Sequence, residues 1–458
     1  MLNFWDFSVW AWINTFAVLL GSLLVGNMLK RSIPFLRDSL TPTSVVGGII
    51  LLIVAAIYKA ITGNVMFDTA AFGANGTAHL EVITYHALAL GFIASSFKTT
   101  NTKLTKMRSA EIFNTGVTTV STYLLQGTFG LAITIVCALL IEGFFPAAGV
   151  LLPFGFGQGT GQALNYGTIY EVEHGFSGGS SFGLTIAALG FLSASIGGVI
   201  HLNVMKKRGR IVFSKRTDGS THSEEVDPED EIPLQESIDK FTVQVALIIV
   251  AYIAAYLLMF LLGNLLPGMK SVIYGFNFLL GVLTATLIKL LMNLLHKKNI
   301  IHRKYTNNFL MTRASNFFFD LMVVAGVAAI RLDVLENYWG IILLLGVVGM
   351  LVTFIYNRIV AKLLFPDYYE EQFLMMYGML TGTASTGIIL LREIDSEFRT
   401  PASDNMVYQN FPAIAFGFPM MFLATLAPTR PVLVLIIFAL FFTAMNVLLF
   451  RSKIFRRK

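Results

Sequence analysis

Four glycines alternate with Phe156, Gln158 and Thr160 in PFGFGQGTGQALNYG, residues 153–167. A second, weaker version of this pattern, YGMLTGTASTG, spans residues 377–387. Each glycine in a helix interior costs about 1 kcal/mol relative to alanine, and Pro153 removes a backbone donor. Both stretches therefore read as interrupted helices, and apolar segments flank each one. At membrane depth irregular backbone survives only where protein buries it or where it lines a watery cavity. Neutral side-chain oxygens and uncovered carbonyls there suit a hard monovalent cation. The freed N–H groups at a helix start, with about half a positive charge, suit an anion. The first-half candidates are Gly157, Gln158, Gly159, Thr160, Gly161, Gln162 and Asn165. The second-half candidates are Thr381, Gly382, Thr383, Ser385 and Thr386, and a bound cation would draw on Thr160, Asn165, Thr381 and Ser385. Small residues also let helices approach closely. Burying Gln158, Gln162 and Asn165 for packing alone is expensive, which favours a binding role.

Charged groups inside apolar segments are few. Asp320 sits within an apolar segment and is expected to face the protein interior, because a central carboxylate costs about 2.5–3.5 kcal/mol on insertion scales. It could help bind a cation or pair with a neighbouring helix's charge. Arg392 directly follows the second interruption and suits either a bidentate carboxylate contact or a cytoplasmic anchor. Arg331 and Arg358 lie near segment ends, where snorkelling is the simple expectation. His86 and Asp320 are the natural proton carriers if protons drive the chemistry. The single cysteine, Cys137, excludes an internal disulfide and reads as a core residue. No HExxH, GxSxG or clustered His/Asp pattern points to an enzyme, and no repeated filter motif points to a channel.

The elements that must position these residues are membrane helices. The chain has 458 residues, 55% hydrophobic and only 13% charged, with a mean hydropathy of +0.69. Soluble domains carry about 25% charged residues, so a polytopic membrane protein is expected. The net charge of +6 fits cytoplasmic Lys/Arg loops, and no nucleic-acid motif accompanies it. The positive-inside rule places Lys30, Arg31 and Arg37 in the cytoplasm, the N-terminus outside and the basic C-terminal tail inside. Full passage of the first interruption would put Lys206, Lys207, Arg208 and Arg210 outside. A segment over residues 147–179 that enters and returns removes this conflict. Residues 206–239 form a hydrophilic cytoplasmic linker, basic and then acidic at Glu224, Glu225, Asp227, Glu229, Asp230 and Glu231. It separates a first membrane repeat, 1–205, from a second of opposite orientation, 240–458. In each half the interruption falls between the fourth and fifth spans, and the last apolar segment is an additional helix. The expected fold is thus an all-α inverted repeat of two five-helix units, each with a re-entrant or broken Gly-rich segment.

Three segments, SVVGGIILL, FGQGTGQALNYGTIYEVEHGF and FGLTIAALGFLSASIGGVI, resemble the bacterial sodium/glutamate symporter family. The resemblance runs in order through most of both halves, with its best match at Gly157, Gly159, Thr160, Gly161 and Ala163. At MLTGTASTGIILLRE the second half departs from the family pattern. The resemblance implies sodium-coupled uptake of glutamate or a similar anion, two re-entrant segments approaching from opposite sides, a homodimer, and a bacterial inner-membrane location. Proton-coupled transport of another organic anion is the alternative, with an ion channel further behind.

Overall fold

A computed structural model describes residues 3–98, 105–211, 238–300, 305–396 and 398–454. The acidic run at 224–231 lies outside the described residues. All regular structure among the described residues is helical. The main helices are α1 Phe7–Ser32, α2 Thr43–Thr62, α3 Gly76–Phe97, α4 Lys106–Leu140, α5 Leu151–Gln158, α6 Thr160–His174 and α7 Gly179–Lys207. They continue as α8 Lys240–Leu265, α9 Asn277–Lys297, α10 Asn308–Ala328, α11 Trp339–Leu364, α12 Tyr369–Thr381, α13 Ala384–Arg392, α14 Asn410–Leu426 and α15 Pro431–Leu449. Ten helices among the described residues are long and apolar enough to cross a membrane. This makes the chain a polytopic membrane protein by length and composition. α14 is shorter and carries Pro419 inside it.

Helix limits follow backbone continuity rather than hydropathy. The apolar run containing Asp320 starts only after Asn316, yet α10 begins at Asn308. Arg313 and Asn316 end the apolar run without ending the helix, because neither breaks backbone hydrogen bonding. The apolar stretch 272–295 divides between a short helix, Lys270–Gly275, and α9.

The chain forms two compact units that interleave the sequence halves. One comprises Met1–Glu81, Leu104–Ser214 and Val323–Lys458, and the other Val82–Lys103 and Lys215–Met322. In the second unit Ile93, Ala94, Phe97, Ile248, Ala251, Ala285, Met311 and Ala314 form the core. Lipid tails are as apolar as leucine, so such helices are held by close packing and interhelical hydrogen bonds. Both occur here: Ser315 Oγ donates to the Gly91 carbonyl at 2.9 Å and Thr284 Oγ1 to the Ala251 carbonyl at 2.9 Å. His86 Nδ1 lies 2.6 Å from the Tyr252 hydroxyl.

The first unit contains both interrupted segments. Glycines let its helices touch backbone to backbone. A Cβ at Gly183 or Gly167 of the α6–α7 pair would collide with main-chain atoms of Ala163 or Gly179. Tyrosine hydroxyls tie elements together across this unit, Tyr166 to the Met421 carbonyl at 2.7 Å and Tyr170 to the Ala424 carbonyl at 2.6 Å.

Candidate functional site

The first interruption is more helical than its glycines suggest. α5 runs through Gly155 and Gly157, with Pro153 in its first turn, where its missing N–H costs little. Gly155 and Gly157 serve contact: a Cβ at Gly155 would lie 2.7 Å from Ile186 of α7, and one at Gly157 would strike the Tyr123 ring. The break itself is Gly159, with φ 79° and ψ −171°, a conformation essentially reserved for glycine. There the chain reverses. The Phe154 and Tyr166 rings stack with centroids 3.9 Å apart, whereas twelve residues of continuous helix would separate them by about 18 Å.

The second interruption is also a hairpin. α12 ends at Thr381, Gly382 and Thr383 leave helical geometry, and α13 starts at Ala384. Gly378 and Gly387 allow the two arms to meet, since a Cβ at Gly378 would lie 2.8 Å from the Gly387 Cα.

The two hairpins meet on α7. A Cβ at Gly190 would lie 2.5 Å from the Thr381 carbonyl oxygen and 3.2 Å from the Phe156 Cα. The last residue of α12 and the end of α5 thus rest against one glycine. A helix end leaves carbonyls without partners, and α4 supplies donors to one at each break. The Tyr123 hydroxyl donates to the Gly157 carbonyl at 3.0 Å. Gln126 Nε2 donates to the Leu380 carbonyl at 2.9 Å and to Thr353 Oγ1 of α11 at 2.8 Å. Tyr123 and Gln126 are three residues apart, on one helix face. Sequence reasoning missed both, although a glutamine within an apolar 35-residue helix was a signal.

The nominated residues separate into distinct surroundings. Gly159, Thr160, Gly161, Gln162 and Asn165 are buried, and Gln158 is half-buried. Thr160 packs against the end of α10, where a Cβ at Gly326 would lie 2.7 Å from its Cβ. Gln162 stands apart from the rest. Its side chain is buried at 1% exposure, and neither its amide nitrogen nor its oxygen has a hydrogen-bond partner among the described residues. At the second break Thr381, Gly382 and Thr386 are buried, while Thr383 and Ser385 are half-buried. Thr381 Oγ1 donates to the Tyr377 carbonyl at 2.6 Å, which leaves its oxygen free to accept. Thr383 and Thr386 hydroxyls lie 3.4 Å apart.

Two nominated charges behave differently. Asp320 belongs to the second compact unit and is exposed, against the expectation that it faces the interior. The buried face of α10 carries Met311, Ala314 and Ser315, so Arg313, Asn316 and Asp320 fall on the opposite face, three and four residues apart. Arg392 is exposed at the far end of α13, about 12 Å along the helix from its start, with its guanidinium over the Phe398 ring at 5.2 Å.

Neither of the other two arginines simply snorkels. Arg331 Nη2 donates to Glu171 at 3.1 Å. The same carboxylate accepts from the Ser180 N–H at 3.0 Å, the Ser180 hydroxyl at 2.5 Å and the Gly178 N–H at 3.3 Å, joining α6 to α7. Arg358 makes a two-pronged contact with Glu370, at 3.1 and 3.3 Å. His201 Nε2 meets the same carboxylate at 2.7 Å. Burial alone would raise the Glu370 carboxyl, but the hydrogen bonds and charges of His201 and Arg358 outweigh it and lower it from 4.5 to about 2. Among the described residues no cluster of three or more His, Cys, Asp or Glu could hold a metal ion.

No protein-family model matches the chain, and no curated protein matches it either.

Proposed function

We propose that this chain is a secondary active carrier rather than an enzyme, coupling inward movement of Na⁺ to uptake of L-glutamate or a related amino acid or dicarboxylate. The observation that carries this reading is Gln162. An amide buried without a partner costs about 1–3 kcal/mol, so a polar ligand that meets it recovers that cost. It stands in the first turn of α6, just beyond the Gly159 break. The freed N–H groups and positive ends of α6 and α13 would face an anion. Sodium would take oxygens from among Thr160, Asn165, Thr381 and Ser385. All four are neutral, as a weakly held coupling ion requires. In the same proposal the two hairpins are re-entrant segments of inverted repeats in a bacterial inner membrane, with the N-terminus outside and the C-terminus cytoplasmic. Two such carriers would form a homodimer.

Uptake into proteoliposomes tests the reading. An inward sodium gradient is expected to drive accumulation of labelled glutamate, and Gly382→Val is expected to abolish it while the protein still inserts. A Cβ there would lie 2.9 Å from Thr386 Oγ1 and 3.1 Å from Phe191. No accumulation on imposing sodium would sink the proposal. Accumulation driven by a proton gradient alone, and lost in Asp320→Asn, would transfer the coupling to protons.

A further inference from the structure

Away from the hairpins, a cavity of about 280 Å³ opens between the C-terminal half of α7 and α11. Arg208, Arg210, Arg358 and Lys362 line it. Glu370 holds Arg358 in a bidentate contact. Arg208, Arg210 and Lys362 form no ion pair with a carboxylate among the described residues, so within those residues the cavity presents three cations without a carboxylate partner. Its remaining wall is largely apolar, formed by Ile200, Val204 and Phe354 among others.

Exposed apolar stripes run along both helices beside it. On α7, Ile196, Ile200 and Val204 are 54%, 59% and 37% exposed, at four-residue spacing. On α11, Leu351, Ile355 and Ile359 are 49%, 55% and 50% exposed, at the same spacing. Each stripe follows one helix face and ends at the cations. A free anion has no use for the stripes, and a neutral lipid has none for the charges.

We propose that this cavity binds one anionic phospholipid, its phosphate held by Arg208, Arg210 and Lys362 and an acyl chain lying along Ile200, Val204 and Phe354. The site depends on the helices lying in a bilayer, not on the transport reading. Basic recesses between helices near a membrane surface suit such headgroups. The His201–Glu370–Arg358 contact ties α7, α11 and α12 together, and its His201 and Arg358 stand in the cavity lining.

Delipidated protein in neutral detergent is titrated with short-chain phosphatidylglycerol, with phosphatidylcholine of equal chain length, and with inorganic phosphate. Phosphatidylglycerol alone is expected to raise the Tm, and native mass spectrometry is expected to retain one such lipid per chain. The double variant Arg208→Gln, Lys362→Gln, altered only at exposed side chains, is expected to bind it roughly tenfold more weakly. Lys297→Gln with Lys298→Gln removes equal charge elsewhere and is expected to bind like the parent protein. Equal stabilisation by phosphatidylcholine overturns the proposal, as does stabilisation by inorganic phosphate alone. Undiminished binding by the Arg208/Lys362 variant, or equal weakening in both variants, overturns it too.

Discussion

Under the proposed function, Gln162 sets stability against ligand binding at the scale of one residue. Its buried carboxamide has no hydrogen-bond partner among the described residues, so Gln162→Leu removes a desolvation cost at nearly constant volume. We expect the variant to melt higher without ligand, by the equivalent of about 1–3 kcal/mol, and to lose uptake. A lower Tm, or unchanged uptake, would remove Gln162 from the site. Its neighbours divide by partner. Tyr123 and Gln126 spend their donors on the broken helices, and their truncation is expected to destabilise the fold. The sequence showed which side chains are polar and where glycine interrupts. It could not show which polar atoms find partners, because Gln126 meets a carbonyl 254 residues away.

At the scale of elements, two hairpins lean on one helix. Gly190 of α7 separates the Thr381 carbonyl from the Phe156 backbone. Gly190→Ala should force the hairpins apart, destabilise the protein by about 1–3 kcal/mol and abolish uptake with insertion intact. Gly21→Ala is the matched control, because a Cβ at Gly21 of α1 meets nothing within 4 Å. Comparing Tm and uptake of the two variants checks this, and parental behaviour of Gly190→Ala would refute convergence on α7. Glycine plays two separate parts within the hairpins. Gly155 and Gly157 permit contact inside a helix, whereas Gly159 permits the reversal through its positive φ. The sequence pattern alone does not distinguish these parts.

For the whole molecule, acid stability depends on the clamp that joins α7, α11 and α12. The folded Glu370 carboxyl sits at about 2, below its ordinary 4.5. Its contribution is therefore complete above about 4.5 and disappears as the pH falls toward 2. The Tm of the detergent-solubilised protein is expected to drop through that window. Glu370→Gln should be less stable at neutral pH by about 3–5 kcal/mol, because the Arg358 charge stays buried without its carboxylate. It should also lose less on acidification than the parent. A parallel pH profile in parent and variant would exclude Glu370 as the titrating group. The compact units draw on both sides of the linker, so truncation at residues 206–239 leaves neither unit complete.

The sequence by itself determined that the chain is a polytopic helical membrane protein. A run of about twenty apolar residues satisfies both the bilayer and the backbone without help from distant parts of the chain. It also marked the two interruptions, since alternating glycine, Gln158 and the Thr381–Gly382 pair stand out against apolar flanks. Only the tertiary structure decided what those interruptions do. It turned them into hairpins, set them against Gly190, gave two of their carbonyls donors from α4, and left Gln162 without a hydrogen-bond partner among the described residues. It also assigned Asp320 to the exposed face of α10. Those outcomes depend on packing between segments remote in sequence, and local periodicity carries no record of which helix a side chain will meet.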